Sequence, residues 1–255
     1  MNANEAIKKT TIYFRLTSIC NSDCEFCYRD SMGETGPDTS SAKKILDKIK
    51  KFGFKRISLI GGEIFLRPDI EEIIKYASEN GFEVYISTNG SLIGNRFDFL
   101  NKYVSIVGLP LDGSSVNKSR KMRNVFDQFA ITVDFLRKLK AKKPKFKVRI
   151  STVVSRINKN DLLKIGKLLF ESNGLYRPDG WRLLIFLGLG EKAKENKDKF
   201  SISEKEFQKA IEEPMKKYPK VTTRSNSIYI FISPNSRVLL SRKNKYTDLG
   251  DFNKI

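Results

Sequence analysis

The sequence predicts an α/β protein: an open, partial (β/α)6 barrel followed by a short α+β C-terminal extension. Two observations carry this. Six strand-like segments alternate with helix-like segments over the first two-thirds of the chain, the signal of a parallel sheet with crossover helices. Six units fall short of the eight that close a full barrel, so the sheet should stay open. With 255 residues and 40% hydrophobic content, the chain is long enough for one large core.

Thr11 to Leu16 is rich in β-branched and aromatic residues and reads as the first strand. Ser40 to Lys51 places Ile45, Leu46 and Ile49 at helical spacing after the capping candidates Thr39 to Ser41. Arg56 to Ile60 is a strand of the buried type, ended by Gly61-Gly62. Pro68 to Asn80 reads as a helix with Pro68 in its first turn, acids near its start and Gly81 beyond its end. Phe82 to Ser87 is a strand, Leu92 to Tyr103 a helix and Ser105 to Leu111 a strand ending at Asp112-Gly113. Val125 to Lys140 is a helix with Phe126, Phe129, Val133 and Leu136 on one face. Lys147 to Val154 (strand), Asp161 to Phe170 (helix) and Trp181 to Leu187 (strand) complete the alternation.

Beyond it the pattern changes. Glu191 to Lys199 reads as a charged linker, Ser203 to Lys217 as a helix with Ser203 as cap, and Ile228 to Ile232 with Arg237 to Leu240 as a hairpin around Pro234-Asn235-Ser236. The expected division is therefore a barrel over 11–190 and an extension over 191–255 packed on it. Ser225, Ser227, Tyr229 and Ser233 make that extension rich in hydroxyls, as either a pocket cap or a solvated edge.

Lys and Arg outnumber Asp and Glu by 48 to 29, a formal net charge of +19. Such a field favours acidic partners. The densest run, Arg137 to Arg149, holds eight basic residues and no acid. Nucleic acid, phosphorylated small molecules, an acidic electron carrier or simply a solvated face all account for it. Apart from Phe146 the run lacks aromatics, which argues against a base-stacking platform. The polar start, Met1 to Lys9, is unlike a secretory signal. The longest apolar run, Leu183 to Leu189, is too short for a bilayer. A cytoplasmic protein is expected.

Cys20, Cys24 and Cys27 are the chain's three cysteines, spaced CxxxCxxC, and the chain has no histidine. A clustered, odd cysteine count in a cytosolic chain reads as metal binding. Structural zinc normally takes four protein ligands, and neither a second cysteine pair nor a histidine pair exists to supply them; Asp23 would be an unusual fourth. Electron-transfer ferredoxins also use four thiolates. Three thiolates suit an iron–sulfur cluster with one iron left open to a substrate or cofactor.

A strand followed by CxxxCxxC, with Phe26 just before the third cysteine, resembles the radical S-adenosylmethionine (SAM) superfamily. Three further motifs match in order: Gly61-Gly62-Glu63 after the second strand, Ser87-Thr88-Asn89-Gly90 after the third and Leu111-Asp112-Gly113 after the fourth. The resemblance spans roughly Thr11 to Leu187. It departs from the family at Ile64, where a proline usually stands. Taken alone, Gly61-Gly62 reads as an ordinary turn, and Glu63 as a surface acid.

The resemblance implies a single [4Fe–4S] cluster on Cys20, Cys24 and Cys27, with SAM chelating the fourth iron. Reductive cleavage of SAM would give a 5′-deoxyadenosyl radical that abstracts hydrogen from a substrate, the chemistry being the cofactor's. By position, the Phe26 backbone would approach adenine, Gly61 and Gly62 would pass close to the cofactor, and Glu63 would lie near the amino group. Ser87 and Asn89 would sit near ribose or methionine. Arg123 is a candidate for the SAM carboxylate, or a surface arginine in a basic patch; Thr152 faces adenine or simply packs. No acid or base is assigned.

Ile150 to Asn158, with Trp181-Arg182, Ile202-Ser203 and Phe207, is similar to viperin-type and molybdopterin-biosynthesis-type enzymes. The extra cysteines of the latter and of peptide-maturing relatives are absent, which favours a one-cluster, viperin-like enzyme acting on a small nucleotide or phosphorylated substrate. Two alternatives stay open: a radical SAM enzyme modifying RNA or a peptide, docked along Arg137 to Arg149, and a non-enzymatic, metal-containing nucleic-acid-binding module. The expected partners are a small-molecule substrate and an acidic electron donor such as flavodoxin or ferredoxin, with nucleic acid open and no membrane.

Overall fold

The computed structural model describes residues 3–28, 33–123, 127–223, 229–242 and 245–254. Met1, Val125, Phe126, Ser225, Ser227 and Ile228, named above, lie outside the described residues. The strands are β1 (Thr11–Thr17), β2 (Arg56–Gly61), β3 (Glu83–Ser87), β4 (Ile106–Pro110), β5 (Lys147–Val154), β6 (Gly180–Ile185), β7 (Val221–Thr223), β8 (Tyr229–Ile232), β9 (Arg237–Arg242) and β10 (Lys245–Asp251). They form one sheet in the order β10-β9-β8-β1-β2-β3-β4-β5-β6-β7. From β1 to β7 all neighbours are parallel. β8 joins β1 in parallel, and β9 and β10 follow antiparallel. The six predicted strands are thus the centre of an α/β partial barrel, and the C-terminal residues lengthen the sheet at both edges.

The helices are α1 (Ala3–Lys9), α2 (Thr39–Lys51), α3 (Ile70–Glu79), α4 (Phe97–Tyr103), α5 (Val116–Met122), α6 (Gln128–Lys142), α7 (Leu162–Glu171), α8 (Glu191–Glu195), α9 (Lys197–Phe200) and α10 (Glu204–Lys217). None is long and apolar enough to cross a membrane among the described residues. Alternation decides what each strand buries. Along β5, Val148, Ile150, Thr152 and Val154 are buried against the helical layer, whereas Arg149, Ser151 and Val153 are only partly covered and face the inside of the barrel.

Several expectations shift. The α2 cap is Asp38, whose carboxylate accepts from Ser41 N at 2.7 Å, so the cap lies one residue before the predicted stretch. Pro68 and Asp69 precede α3 because the Asp69 carboxylate is held by Arg67 and Thr39. α4 begins at Phe97, five residues later than predicted, after turns closed by Ile93 N to Gly90 O and Arg96 N to Ile93 O. The largest correction is at 191–199. That segment is not a linker: it forms α8 and α9, which pack on the loop after β1.

Ser203 caps α10 as expected, in a reciprocal box with Glu206. Ser203→Ala should cost about 1 kcal/mol. Lys159, followed by the Ser203 backbone and hydroxyl, holds the Glu206 carboxyl down to about 2. A depressed folded value means that this stabilisation is present above the ordinary value of 4.5 and disappears as pH falls from there towards 2. Thermal melts of the wild type and Glu206→Gln should therefore converge across that window; a constant gap would remove the assignment.

Candidate active site

Every strand from β1 to β6 runs toward the same end of the sheet, and the loops there enclose a cavity of about 290 Å³. Cys20, Cys24 and Cys27 all line it. The loop that carries them is fixed locally. Thr17 Oγ1 accepts from Ile19 N at 3.0 Å, Cys27 N donates to Cys24 O at 3.1 Å, and Ser22 N points at the Cys20 sulfur at 3.4 Å. The segment after it is clamped by Arg67, which donates to Leu16 O, Thr35 O and Pro37 O and pairs with Asp69.

Gly61 and Gly62 also line the cavity, and their lack of side chains has a local reason. The chain leaving β2 lies directly on the start of the cysteine loop. Gly62 N donates to Thr17 O at 2.8 Å and Glu63 N to Ile19 O at 2.9 Å. A Cβ on Gly62 would fall 2.1 Å from Ile19 O, and one on Gly61 2.4 Å from Thr17 O. Only glycine permits this approach of backbone to backbone.

Glu63 does not line the cavity. It is fully buried, and its carboxylate joins two loops: Thr88 Oγ1 donates at 2.7 and 2.8 Å, Asn89 N at 2.6 Å and Phe65 N at 3.1 Å. Burial pushes this carboxyl above its ordinary value, while those donors pull it down. Beside it, Ser87 and Asn89 line the cavity. Asn89 Nδ2 donates to Asn21 Oδ1 at 2.8 Å, tying the loop after β3 to the cysteine loop.

Arg123 lines the cavity from the end of α5. It pairs with the buried Asp112 at 2.6 Å, lies 4.9 Å from the Phe26 ring centre and donates to the Cys24 sulfur at 3.3 Å. Burial alone would lower its basicity, but Asp112 and then Cys24 outweigh that and hold it above the ordinary arginine value. Burial pushes the Cys24 thiol up, with Arg123 opposing. Phe26 lines the cavity and packs edge-on against Phe200 of α9 at 5.7 Å. Thr152 lies on the other face of β5: its hydroxyl donates to Leu111 O at 2.5 Å and accepts from Trp181 Nε1 at 2.9 Å. Its neighbours Ser151 and Val153 are the ones that line the cavity.

Sequence reading missed the cavity's inner wall. Tyr13, Gly108, Ser151, Arg182 and Phe231 line it from five different strands. Register places Arg182 beside Ser151, and Arg149 one inward step deeper on β5. Arg149 lies 5.9 Å from the Tyr85 ring centre. Neither arginine has a carboxylate partner among the described residues. Burial, and then the charge of Arg182, pull Arg149 below its ordinary value. The missed signal is parity: basic residues alternating with apolar ones along β5 mark the inward face of a barrel strand.

The donor set, three cysteines and no histidine, fits an iron–sulfur cluster. The thiols of Cys20, Cys24 and Cys27 all reach one cavity, and thiolates are the soft donors that iron–sulfur clusters take.

The model of the Radical SAM superfamily matches residues 14–169. The chain is 26% identical over 271 residues to an S-adenosylmethionine-dependent nucleotide dehydratase of Fibrobacter sp. (strain UWH6), covering 94% of this chain and 80% of that one. A protein of the same description from Flammeovirga pacifica is also 26% identical, over 92% of this chain and 84% of its own length. Among solved structures, Streptococcus suis SuiB bound to S-adenosylmethionine is similar with a TM-score of 0.73 at 14% identity. That match covers 95% of this chain and 63% of SuiB, and at such identity it speaks to the fold alone.

Proposed function

This chain belongs to the radical SAM superfamily, and from that premise we propose that it acts on a nucleotide or a similar phosphorylated small molecule. Membership makes it an enzyme using a [4Fe–4S] cluster and SAM, and sets aside the non-enzymatic module. When bound, these groups supply reductive cleavage of SAM and one-electron hydrogen abstraction from the substrate. Cys20, Cys24 and Cys27 would hold the cluster. The Phe26 backbone, Gly61, Gly62, Ser87 and Asn89 would border SAM. Arg123 would present its charge to the SAM carboxylate while Asp112 orients it. Glu63 and Thr152 would act from behind, Glu63 by joining the loops after β2 and β3, Thr152 by fixing the β4–β5 pair. The barrel of 11–190 would supply the cofactor end, and 191–255 would close the substrate side.

The observation that carries the substrate class is the Arg149–Arg182 pair. Arg182 lines the cavity, Arg149 lies one step deeper on β5 and feels its charge, and neither has a carboxylate partner among the described residues, an arrangement that an anion relieves. Guanidinium suits phosphate because it donates in a planar fork. The relatives named as nucleotide dehydratases support the same reading. Modification of RNA along Arg137 to Arg149 has less support. That run covers the end of α6 and the start of β5, at the opposite end of the strands from the cysteine loop; within it, Arg149 alone is used here.

Binding of nucleoside triphosphates, measured calorimetrically on the metal-free and reconstituted protein, tests the proposal. Arg149→Ala and Arg182→Ala should each weaken binding roughly tenfold to a hundredfold. Production of 5′-deoxyadenosine under dithionite should rise with the correct nucleotide. Equal affinity in wild type and both variants would end the proposal.

A further inference from the structure

Asn158 ends the 150–158 segment and does not line the cavity. It is 2% exposed, and both ends of its amide are used. Nδ2 donates to Asp112 O at 3.0 Å and to Val153 O at 2.9 Å. Oδ1 accepts from Ser155 N at 2.8 Å and from the Ser155 hydroxyl at 3.3 Å. One side chain therefore ties the chain leaving β4 to the end of β5. A buried carbonyl beyond a strand end has lost its ladder partner and needs a donor from elsewhere. A carboxamide on a short stem supplies two donors and an acceptor at once, which neither aspartate nor serine can do.

What Asn158 holds leads directly to the cofactor end of the cavity. Asp112 is fully buried and uses both carboxylate oxygens: Oδ1 accepts from Val153 N at 2.7 Å and Oδ2 from Arg123 Nε at 2.6 Å. Arg123 lines the cavity and donates from Nη1 to the Cys24 sulfur. Because the guanidinium is planar, a bond from Nε to a fixed carboxylate also sets the direction of its remaining N–H groups. A second thread runs beside the first. The Ser155 hydroxyl that meets Asn158 also lies 3.2 Å from the sulfur of Met122, the residue before Arg123.

We propose that Asn158 is a positioning residue for the cofactor: it fixes Asp112 so that Arg123 presents its guanidinium to the α-carboxylate of SAM. The inference rests on the reading of Arg123 given above and is independent of the substrate. Without the amide, the carbonyls of Asp112 and Val153 lose their donor, and the turn after β4 shifts against β5. A misplacement of about 1 Å is enough to spoil a directed contact of this kind.

The experiment measures binding of SAM and of decarboxylated SAM, which lacks the α-carboxylate, by anaerobic calorimetry on the reconstituted protein. Arg123→Lys keeps a charge beside Asp112 but loses the fork; it should weaken SAM about tenfold and leave the decarboxylated ligand within about twofold. Asn158→Ala should show the same selectivity, with SAM weakened about fivefold or more. Leu169→Ala, a truncation of the buried face of α7, should lower the melting temperature without changing the ratio of the two affinities. The double variant Asn158→Ala/Arg123→Lys should bind SAM within about twofold of the weaker single variant, because the two residues act on one contact. Should Asn158→Ala not fold, Asn158→Asp takes its place with the same expectation, since it has the same shape and offers at most one donor. The proposal is overturned if the Asn158 variant weakens both ligands alike, if it leaves SAM affinity intact, or if its effect adds in full to that of Arg123→Lys. Equal loss of both ligands in Arg123→Lys would remove Arg123 from the carboxylate, and this inference with it, while leaving the substrate reading untouched.

Discussion

Cys24→Ala should give a folded protein that no longer retains iron. Cys24 is the most buried of the three cysteines, and its thiol packs with Phe26, Met122 and Phe200. Removing one sulfur from that cluster should cost only about 1 kcal/mol. Arg123 keeps its Asp112 partner at 2.6 Å, so no charge is stranded by the change. The loop's main tethers, Gly62 N to Thr17 O and Glu63 N to Ile19 O, do not involve the thiol. The cofactor is another matter. With no histidine in the chain and no other cysteine, two thiolates remain where three are needed, and nothing nearby substitutes. After anaerobic reconstitution, iron and sulfide should fall to background and SAM cleavage should vanish, while the melting temperature of the metal-free chain moves by a few degrees at most. Retention of the wild-type iron content would remove these cysteines from the site.

Glu63→Gln should be the most damaging substitution that leaves every cavity-lining side chain in place. All the groups around the carboxylate are donors: the Thr88 hydroxyl, Asn89 N and Phe65 N. A glutamine replaces one accepting oxygen by an amide that itself donates. At least one buried N–H then faces another donor, which costs about 1–3 kcal/mol, and the remaining bonds lose their charge assistance. The loss in stability should reach about 2–4 kcal/mol, a sizeable part of a typical domain's margin. The effect on the site follows from the same contacts, because Asn89 and Thr88 are positioned through Glu63. Calorimetric unfolding should show the stability loss, and SAM affinity of the folded variant should fall at least tenfold. Normal stability with lost SAM binding would instead place the Glu63 carboxylate in contact with SAM.

The contrast between Glu63 and Thr152 shows where sequence reading reached its range. Both were tied to SAM by their place at strand ends. Position along a strand is legible, since strand lengths and terminating residues are local properties. Direction is harder. Thr152 shares parity with Val148, Ile150 and Val154, and its hydroxyl serves Leu111 and Trp181. Glu63 turns inward because Thr88 and Asn89, some 25 residues on, supply its donors. No local pattern encodes that pairing.

The segment 191–199 failed for a different reason. Helices of five and four residues are too short to hold themselves together in water. They form because Phe200 packs on Phe26 and Phe186, and because Lys192 and Lys199 meet acids of the cysteine loop. A composition of Lys and Glu reads as solvated linker until those acids are in place.

By itself, the sequence determined the order of the six central strands and of most helices between them, the cysteine triad and the strand ends that would gather around it. Those features depend on residue type and short-range spacing, which the chain carries whether folded or not. Tertiary structure alone decided which face each strand turns to the cavity, which acids are consumed in joining loops, and that Arg149 lies within reach of the charge of Arg182. Curving a sheet into an open barrel brings distant residues together and gives inside and outside their meaning. Until then, a charge on a strand has no assigned neighbour.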